Sequence, residues 1–141
     1  MTLATAALFT ASLLVSPAHA DEKQAEECVT TKVRDGYAEG WGIRTMTTTT
    51  LAPGKTRNYL VTLYAGNEYQ LQACGDESVG NLDVLLYDTE GNLLSRDDAE
   101  DRQPIFNYTP ETTNTYYVVV YLRSLKAGGE DAGVAMAVTY K

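Results

Sequence analysis

Beyond Arg44, apolar and polar residues alternate with a period of two in short runs that are separated by turn residues. β-Branched and aromatic side chains dominate these runs, which is typical of strands that bury one face. About eight such runs occur, at residues 45–51, 57–65, 69–73, 81–88, 92–97, 104–109, 113–122 and 132–140. This number of short strands predicts two packed antiparallel sheets, that is, an all-β sandwich.

The same pattern suggests how some strands pair. The threonine-rich run 45–51 is expected at a sheet edge, and run 113–122 is apolar on both faces and is therefore expected to be central. Runs 57–65 and 69–73 are expected to form one hairpin. Runs 81–88 and 92–97 flank a short turn that contains Gly91, and we expect them to form another.

A helix is predicted before the sandwich. The segment from Lys23 to about Tyr37 is charged, with Val29, Val33 and Tyr37 recurring every four residues, which favours a short amphipathic helix. The glycines that follow it surround Trp41, the single tryptophan, which we interpret as a packing anchor.

The chain contains two cysteines, Cys28 in the predicted helix and Cys74 in a predicted strand. An even number of cysteines in an exported protein favours a disulfide. Cys74 falls on the strand face opposite Leu71 and Ala73, so the bridge is expected to clamp the helix across the outer side of that sheet. A redox or metal-binding pair is the alternative, but no Cys-x-x-Cys spacing supports it.

Residues 1–20 have the pattern of a secretory signal. An apolar stretch is followed by Pro17 and by the small-residue site Ala18-His19-Ala20, with cleavage expected before Asp21. The expected parts are therefore a leader at 1–20, a helical segment at 21–43 and a β-sandwich domain at 44–141. The destination is the periplasm or the extracellular medium.

Cleavage of the leader would remove His19, the only histidine. A mature chain without imidazole has no Ser-His-Asp or Cys-His nucleophile pair, no histidine zinc site and no side chain that ordinarily titrates near neutral pH. The sequence therefore predicts that the protein is not an enzyme.

Charge and composition narrow the class of partner. The formal net charge is −8, which disfavours nucleic acid and anionic membranes as partners, and no membrane-inserted segment is expected after the leader. Ten tyrosines are present, and tyrosine suits recognition surfaces. We therefore expect a tyrosine-bearing sheet face that binds an unknown protein or glycan, although the β-propensity of tyrosine alone would also explain its abundance.

Three segments, at residues 51–76, 81–98 and 104–121, together resemble the bacterial pre-peptidase C-terminal domain. The most specific part is the succession Leu-Asp-Val, Tyr-Asp, Gly-Asn and Asp-Asp within 82–98. The resemblance implies a jelly-roll-like β-sandwich that is not catalytic and that in some relatives binds calcium or matrix. No peptidase precedes the domain in this sequence, so a free-standing module is expected.

A cluster of acidic residues suggests a metal site. If Asp88 pairs with Asn92 in the second hairpin, Asp83 lies opposite Asp97, and two paired carboxylates repel each other unless a cation neutralises them. Asp98 and Asp101 supply further oxygens nearby, as a calcium ion requires. The alternatives are a solvated acidic turn balanced by Arg96 and Arg102, or the carboxylate pair of a glycosidase.

These observations predict a secreted, non-catalytic binding or accessory module that is stabilised by calcium. A small secreted inhibitor or chaperone of a peptidase is the first alternative, and it would use a sheet edge or the loop 125–131. A carboxylate-based hydrolase that uses Asp83 and Asp97 is the second.

Overall fold

The computed structural model describes residues 20–141, which form one helix followed by eight strands. The elements are α1 (Glu22–Ala38), β1 (Gly42–Leu51), β2 (Thr56–Leu63), β3 (Tyr69–Gly75), β4 (Val79–Asp88), β5 (Leu93–Asp97), β6 (Ile105–Tyr108), β7 (Asn114–Leu125) and β8 (Ala132–Tyr140). His19 and all but the last residue of the expected leader lie outside the described residues.

The strands form two antiparallel sheets of four, in the orders β1-β8-β3-β6 and β2-β7-β4-β5. This alternation of strands between two sheets is the arrangement of a jelly roll, so the all-β prediction is confirmed. β1 lies at an edge and β7 is central, as their side-chain patterns predict.

One apolar core fills the space between the two sheets. Leucine, valine and tyrosine side chains from the inward positions of both sheets build it, among them Leu71, Leu82, Val118 and Val138, all fully buried. Trp41 is also buried, as expected, and it packs beside Gly36 at the end of the helix.

The predicted hairpin between β2 and β3 is wrong. β2 pairs with β7 in one sheet, whereas β3 pairs with β8 and β6 in the other. Residues 64–68 carry the chain across the sandwich, and the Tyr64 amide donates a hydrogen bond to the Tyr69 hydroxyl at 2.8 Å within this crossing. Alternation fixes which side chains of a strand point inward, but both sheets offer the same inward environment, so it does not assign the strand to a sheet.

α1 packs on the outer face of the β1-β8-β3-β6 sheet. Ala25, Val29 and Val33 on the helix meet Ala135 and Ala137 of β8 in a second, smaller apolar cluster. Tyr37 does not continue this stripe and is 71% exposed. A repeat of four residues drifts around a helix of 3.6 residues per turn, which carries Tyr37 away from the sheet.

Cys28 and Cys74 form a disulfide, with their Cα atoms 6.0 Å apart. Both sulfur atoms belong to the helix–sheet cluster, and Cys74 is fully buried. The sequence-based prediction of the bridge and of its position outside the sandwich core is thus confirmed. No helix within residues 20–141 is long and apolar enough to cross a membrane.

Replacing both cysteines by serine is expected to lower the free energy of unfolding by about 4 kcal/mol, because the bridge closes a loop of 46 residues in the unfolded chain. Denaturant unfolding of the double variant beside the native protein measures the difference. If the denaturation curves of the two proteins have equal midpoints and equal slopes, the disulfide does not contribute to the stability of the docked helix.

Candidate functional site

The two sheets differ in what lies on their outer faces. α1 covers β8, β1 and β3 of one sheet. The outer face of the β2-β7-β4-β5 sheet has no such cover from residues 20–141, and we call it the open face. A sheet face that remains uncovered normally carries polar side chains, since one face packs on the core and the other meets water.

A row of large apolar and aromatic side chains instead crosses the open face. Leu60, Tyr117, Tyr87 and Leu93 are successive cross-strand partners on β2, β7, β4 and β5. Leu60 is 64% exposed and Tyr117 is 39% exposed. The row therefore presents apolar area from all four strands of the sheet to solvent.

The next positions along the strands continue this surface. Val119 of β7 lies between Asn58 of β2 and Leu85 of β4, and Arg96 of β5 completes that row. One step further, Tyr121 pairs with Asp83. The apolar patch thus passes into a charged end.

The charged end is built around a buried carboxylate. Asp83 is 1% exposed and pairs with the guanidinium of Arg123, a side chain that is itself half exposed. The hydrogen bond from Arg123 to Asp83 raises the pKa of Arg123 above its ordinary value. Arg123 also stacks on Tyr121, 4.3 Å from the ring centroid, which fixes the cation at the surface of the open face.

The predicted register of the β4–β5 hairpin, with Asp83 opposite Asp97, is wrong. Tyr87 pairs with Leu93, but Leu86 pairs with Ser95, so Leu94 is an extra residue on β5. This bulge shifts the ladder by one position and places Asp97 opposite Val84. Because neighbouring positions point to opposite faces, Asp83 and Asp97 do not form a pair.

The other predicted calcium ligands each have a different partner. The carboxylate of Asp97 accepts hydrogen bonds from the amides of Ala99 and Ile105, at 3.0 and 2.9 Å. Asp98 forms an ion pair with Arg96 at 3.1 Å, and Asp101 accepts a hydrogen bond from the Gln103 amide at 2.7 Å.

A lysine of the helix also lies near this acidic turn. Burial lowers the pKa of Lys32, while the charges of Asp101 and Asp97 act in the opposite direction. Arg102, which we expected to balance the turn, donates a hydrogen bond to the Gly75 carbonyl. Of the cations near the turn, Arg96 forms an ion pair with Asp98, and Lys32 lies close enough for the charges of Asp101 and Asp97 to act on it.

In this arrangement each of the four carboxylates has its own hydrogen-bond or ion-pair partner. Within residues 20–141, no group of three or more His, Cys, Asp or Glu side chains is placed to hold a metal ion. Two buried oxygens, Oδ1 of Asp83 and Oδ1 of Asn81, accept no hydrogen bond from the described residues, but calcium takes six to eight oxygens. Calcium binding stays a prediction, and a rise in melting temperature on adding calcium would reveal it.

The tyrosines divide between core and surface as the alternation predicts. Tyr69 and Tyr116 are buried, and Tyr59 packs partly against the core. Tyr117, the neighbour of Tyr116, points out onto the open face. Leu60 and Val119 were not identified from the sequence as members of a candidate surface site, although apolar residues on both faces of β7 are a signal that could have indicated one.

A groove runs beside the open face, between the edge strands β1 and β2. It has a volume of about 510 Å³, and Thr45, Thr47, Tyr59 and Val61 are among its lining residues. Leu60 borders both the groove and the open face. The loop 125–131, the other surface considered from the sequence, contains Gly128 and Gly129 at positive φ and is largely exposed.

Comparison with family models gives no match, and comparison with the curated proteins gives none either. Solved structures do show similarity. The pre-peptidase C-terminal domain of collagenase from Bacillus anthracis matches with a TM-score of 0.53 and 18% identity over 69% of this chain and 90% of that one. The chain has a fold like that of this domain, as the sequence resemblance implies.

PliG from Aeromonas hydrophila, a periplasmic inhibitor of g-type lysozyme, also matches, with a TM-score of 0.53. The identity is 14%, and the match covers 69% of this chain and 85% of that one. At these identities the two likenesses show the fold alone.

Replacing Arg123 by alanine is expected to lower the melting temperature more than replacing Arg96 does. The first change leaves the carboxylate of Asp83 buried without its counter-charge, which is costly. Arg96 and its partner Asp98 are both about half exposed, and such pairs contribute little. Thermal unfolding of the two variants checks this, and equal shifts would contradict the structural importance of the Asp83–Arg123 pair.

Proposed function

We propose that this protein is an exported, non-catalytic module that binds another protein through the open face. One observation carries the proposal: the apolar row Leu60-Tyr117-Tyr87-Leu93 is exposed on one sheet, while a helix covers the equivalent face of the other sheet. Exposed apolar patches that are bordered by polar residues are characteristic of interaction sites.

The composition of the open face favours a protein partner. Tyrosine and arginine are enriched in protein interfaces, and tyrosine offers a large contact area at a low cost in conformational entropy. The pair formed by Asp83 and Arg123 supplies polar contacts at the border of the patch. The chain carries a net charge of −8, which disfavours nucleic acid as the partner.

The shape of the open face argues against small-molecule turnover. Its side chains lie on the surface of a continuous four-stranded sheet, whereas small ligands are ordinarily held in concave sites. The carboxylate pair that a hydrolase would require is not formed, because Asp83 is held by Arg123. These features support a binding role rather than catalysis.

The disulfide supports the proposal of export. The disulfide between Cys28 and Cys74 lies within a packed cluster, and structural disulfides persist mainly in periplasmic and extracellular proteins. The leader pattern at residues 1–20 points to the same destination.

Affinity purification from the exported fraction of the native host tests the proposal. We expect the native protein to retain a defined partner. The Tyr117→Ala variant should bind that partner with a dissociation constant about 30-fold higher, because it loses an interface anchor worth about 2 kcal/mol. Tyr37→Ala is the matched control, since Tyr37 is an exposed tyrosine on α1, away from the open face. Retention of the same proteins by all three forms, or loss with both variants, would contradict the proposal.

Inhibition of a secreted hydrolase is a second candidate function. The similarity in fold to a periplasmic lysozyme inhibitor favours it, because inhibition is itself a form of protein binding. Titration of the protein into a g-type lysozyme and into secreted peptidases tests this role. If the native protein inhibits an enzyme stoichiometrically and the Leu60→Asp variant does not, the inhibitory surface is the open face. If enzyme activity is undiminished at excess native protein, these enzymes are excluded as targets.

A further inference from the structure

A buried carboxylate lies directly beneath Asp21, the residue that caps the start of α1. Asp76, immediately after β3, is 1% exposed. Its Oδ2 accepts hydrogen bonds from the backbone nitrogen of Asp21 at 2.9 Å and from that of Gly133 at 2.8 Å. Its Oδ1 accepts from the amide of Ser78, at 2.9 Å, and from the Ser78 hydroxyl.

Asp76 has hydrogen bonds but no counter-charge. None of the ion pairs formed within residues 20–141 includes it. Burial alone would raise the pKa of Asp76, but the hydrogen bonds from Ser78, Asp21 and Gly133 outweigh burial, and the pKa lies below its ordinary value. The carboxylate is therefore charged at neutral pH, and buried charges are ordinarily paired with an opposite charge.

The backbone of Asp21 is held in place by contacts that do not involve the residues before it. Its side chain caps α1 by accepting a hydrogen bond from the Gln24 amide at 2.9 Å. Gly133 of β8 makes room for it, since a Cβ at that position would overlap the carbonyl group of Asp21. The nitrogen of Asp21 would thus keep its position against Asp76 if the chain began there.

We propose that cleavage of the Ala20–Asp21 bond creates the missing counter-charge, and that the new α-ammonium group of Asp21 forms a salt bridge with the carboxylate of Asp76. We call this salt bridge the latch. An export peptidase would hydrolyse this bond with one water molecule. The hydroxyl group goes to the carbonyl carbon of Ala20 and a hydrogen to the nitrogen of Asp21. The released amine then takes a proton from solvent, because an α-amino group is largely protonated at neutral pH.

The leader pattern and the hydrogen bond from the Asp21 nitrogen to Asp76 are independent observations that point to the same bond. The small residues Ala18 and Ala20 place the cleavage before Asp21 by the rule for signal peptides. In the structure, the nitrogen of the same residue donates a hydrogen bond to a buried carboxylate that has no counter-charge among the described residues and lies 55 residues away in sequence. Processing would therefore strengthen the attachment of α1 as well as remove the leader.

Export of two full-length precursors tests the proposal. One is native, and the other carries Gly-Ser inserted between Ala20 and Asp21, so that cleavage after Ala20 leaves the nitrogen of Asp21 as an uncharged amide. We expect mass spectrometry to find Asp21 as the first residue of the native product. We also expect the native product to melt about 5 °C or more above the extended one. A native product that starts elsewhere, or equal melting temperatures, would overturn the proposal.

Repeating the comparison with Asp76→Asn in both precursors isolates the latch. The difference in melting temperature between the two lengths is expected to vanish with Asp76→Asn and to persist with Asp35→Asn, a control at an exposed acid of α1. A difference that survives Asp76→Asn would show that the extension acts in some other way.

Should Asp76→Asn fail to accumulate, the reactivity of the amino terminus decides. The α-amine of Asp21 is expected to react with an acylating reagent more slowly than the α-amine of the Gly-Ser form, because only the former is held by the carboxylate of Asp76. Equal rates would overturn the proposal.

Discussion

The attachment of α1 to one sheet determines which surface of this molecule remains available. A jelly roll buries the inner faces of both sheets and leaves two outer faces. Here the disulfide from Cys28 to Cys74 fixes the helix on the first outer face, and Val29 and Val33 pack between the helix and the sheet. The second face receives no cover from residues 20–141, yet it carries Leu60, Tyr87 and Tyr117. This asymmetry is the physical basis for the proposal that the open face binds a partner.

The sequence predicted the elements of the fold more completely than their partners. All eight predicted strands exist, and strand β8 has the predicted bounds, because alternation and turn residues are local signals. The assignment of β2 and β3 to one hairpin failed, since the inward faces of Val61 and Leu71 fit either sheet equally well. The assignment of a strand to a sheet depends on the topology of the whole chain, and no single segment determines that topology.

The candidate site shows a similar division. The abundance of tyrosine pointed to a recognition surface, and the alternation of β7 places Tyr116 in the core and Tyr117 on the open face. The acidic cluster pointed to a metal site, but the arrangement of its residues depends on a bulge at Leu94 that shifts the register by one position. Such a shift exchanges the two faces of a strand, so a site inferred across a hairpin requires a register that alternation alone does not supply. Asp83 found its counter-charge in Arg123 of β7, a strand that the hairpin argument did not include.

Asp76 and Asp83 illustrate two ways in which the same protein accommodates a buried carboxylate. Asp83 faces the open surface and is neutralised by a side chain that reaches it from the neighbouring strand. Asp76 lies beneath the start of α1, where it receives backbone and hydroxyl hydrogen bonds instead. Gly133 lets the main chain of Asp21 and Glu22 approach closely, since a Cβ at position 133 would overlap it. The amino group of a processed chain is a cation that requires no side-chain volume, so the proposed terminus at Asp21 could neutralise Asp76 within this close main-chain packing.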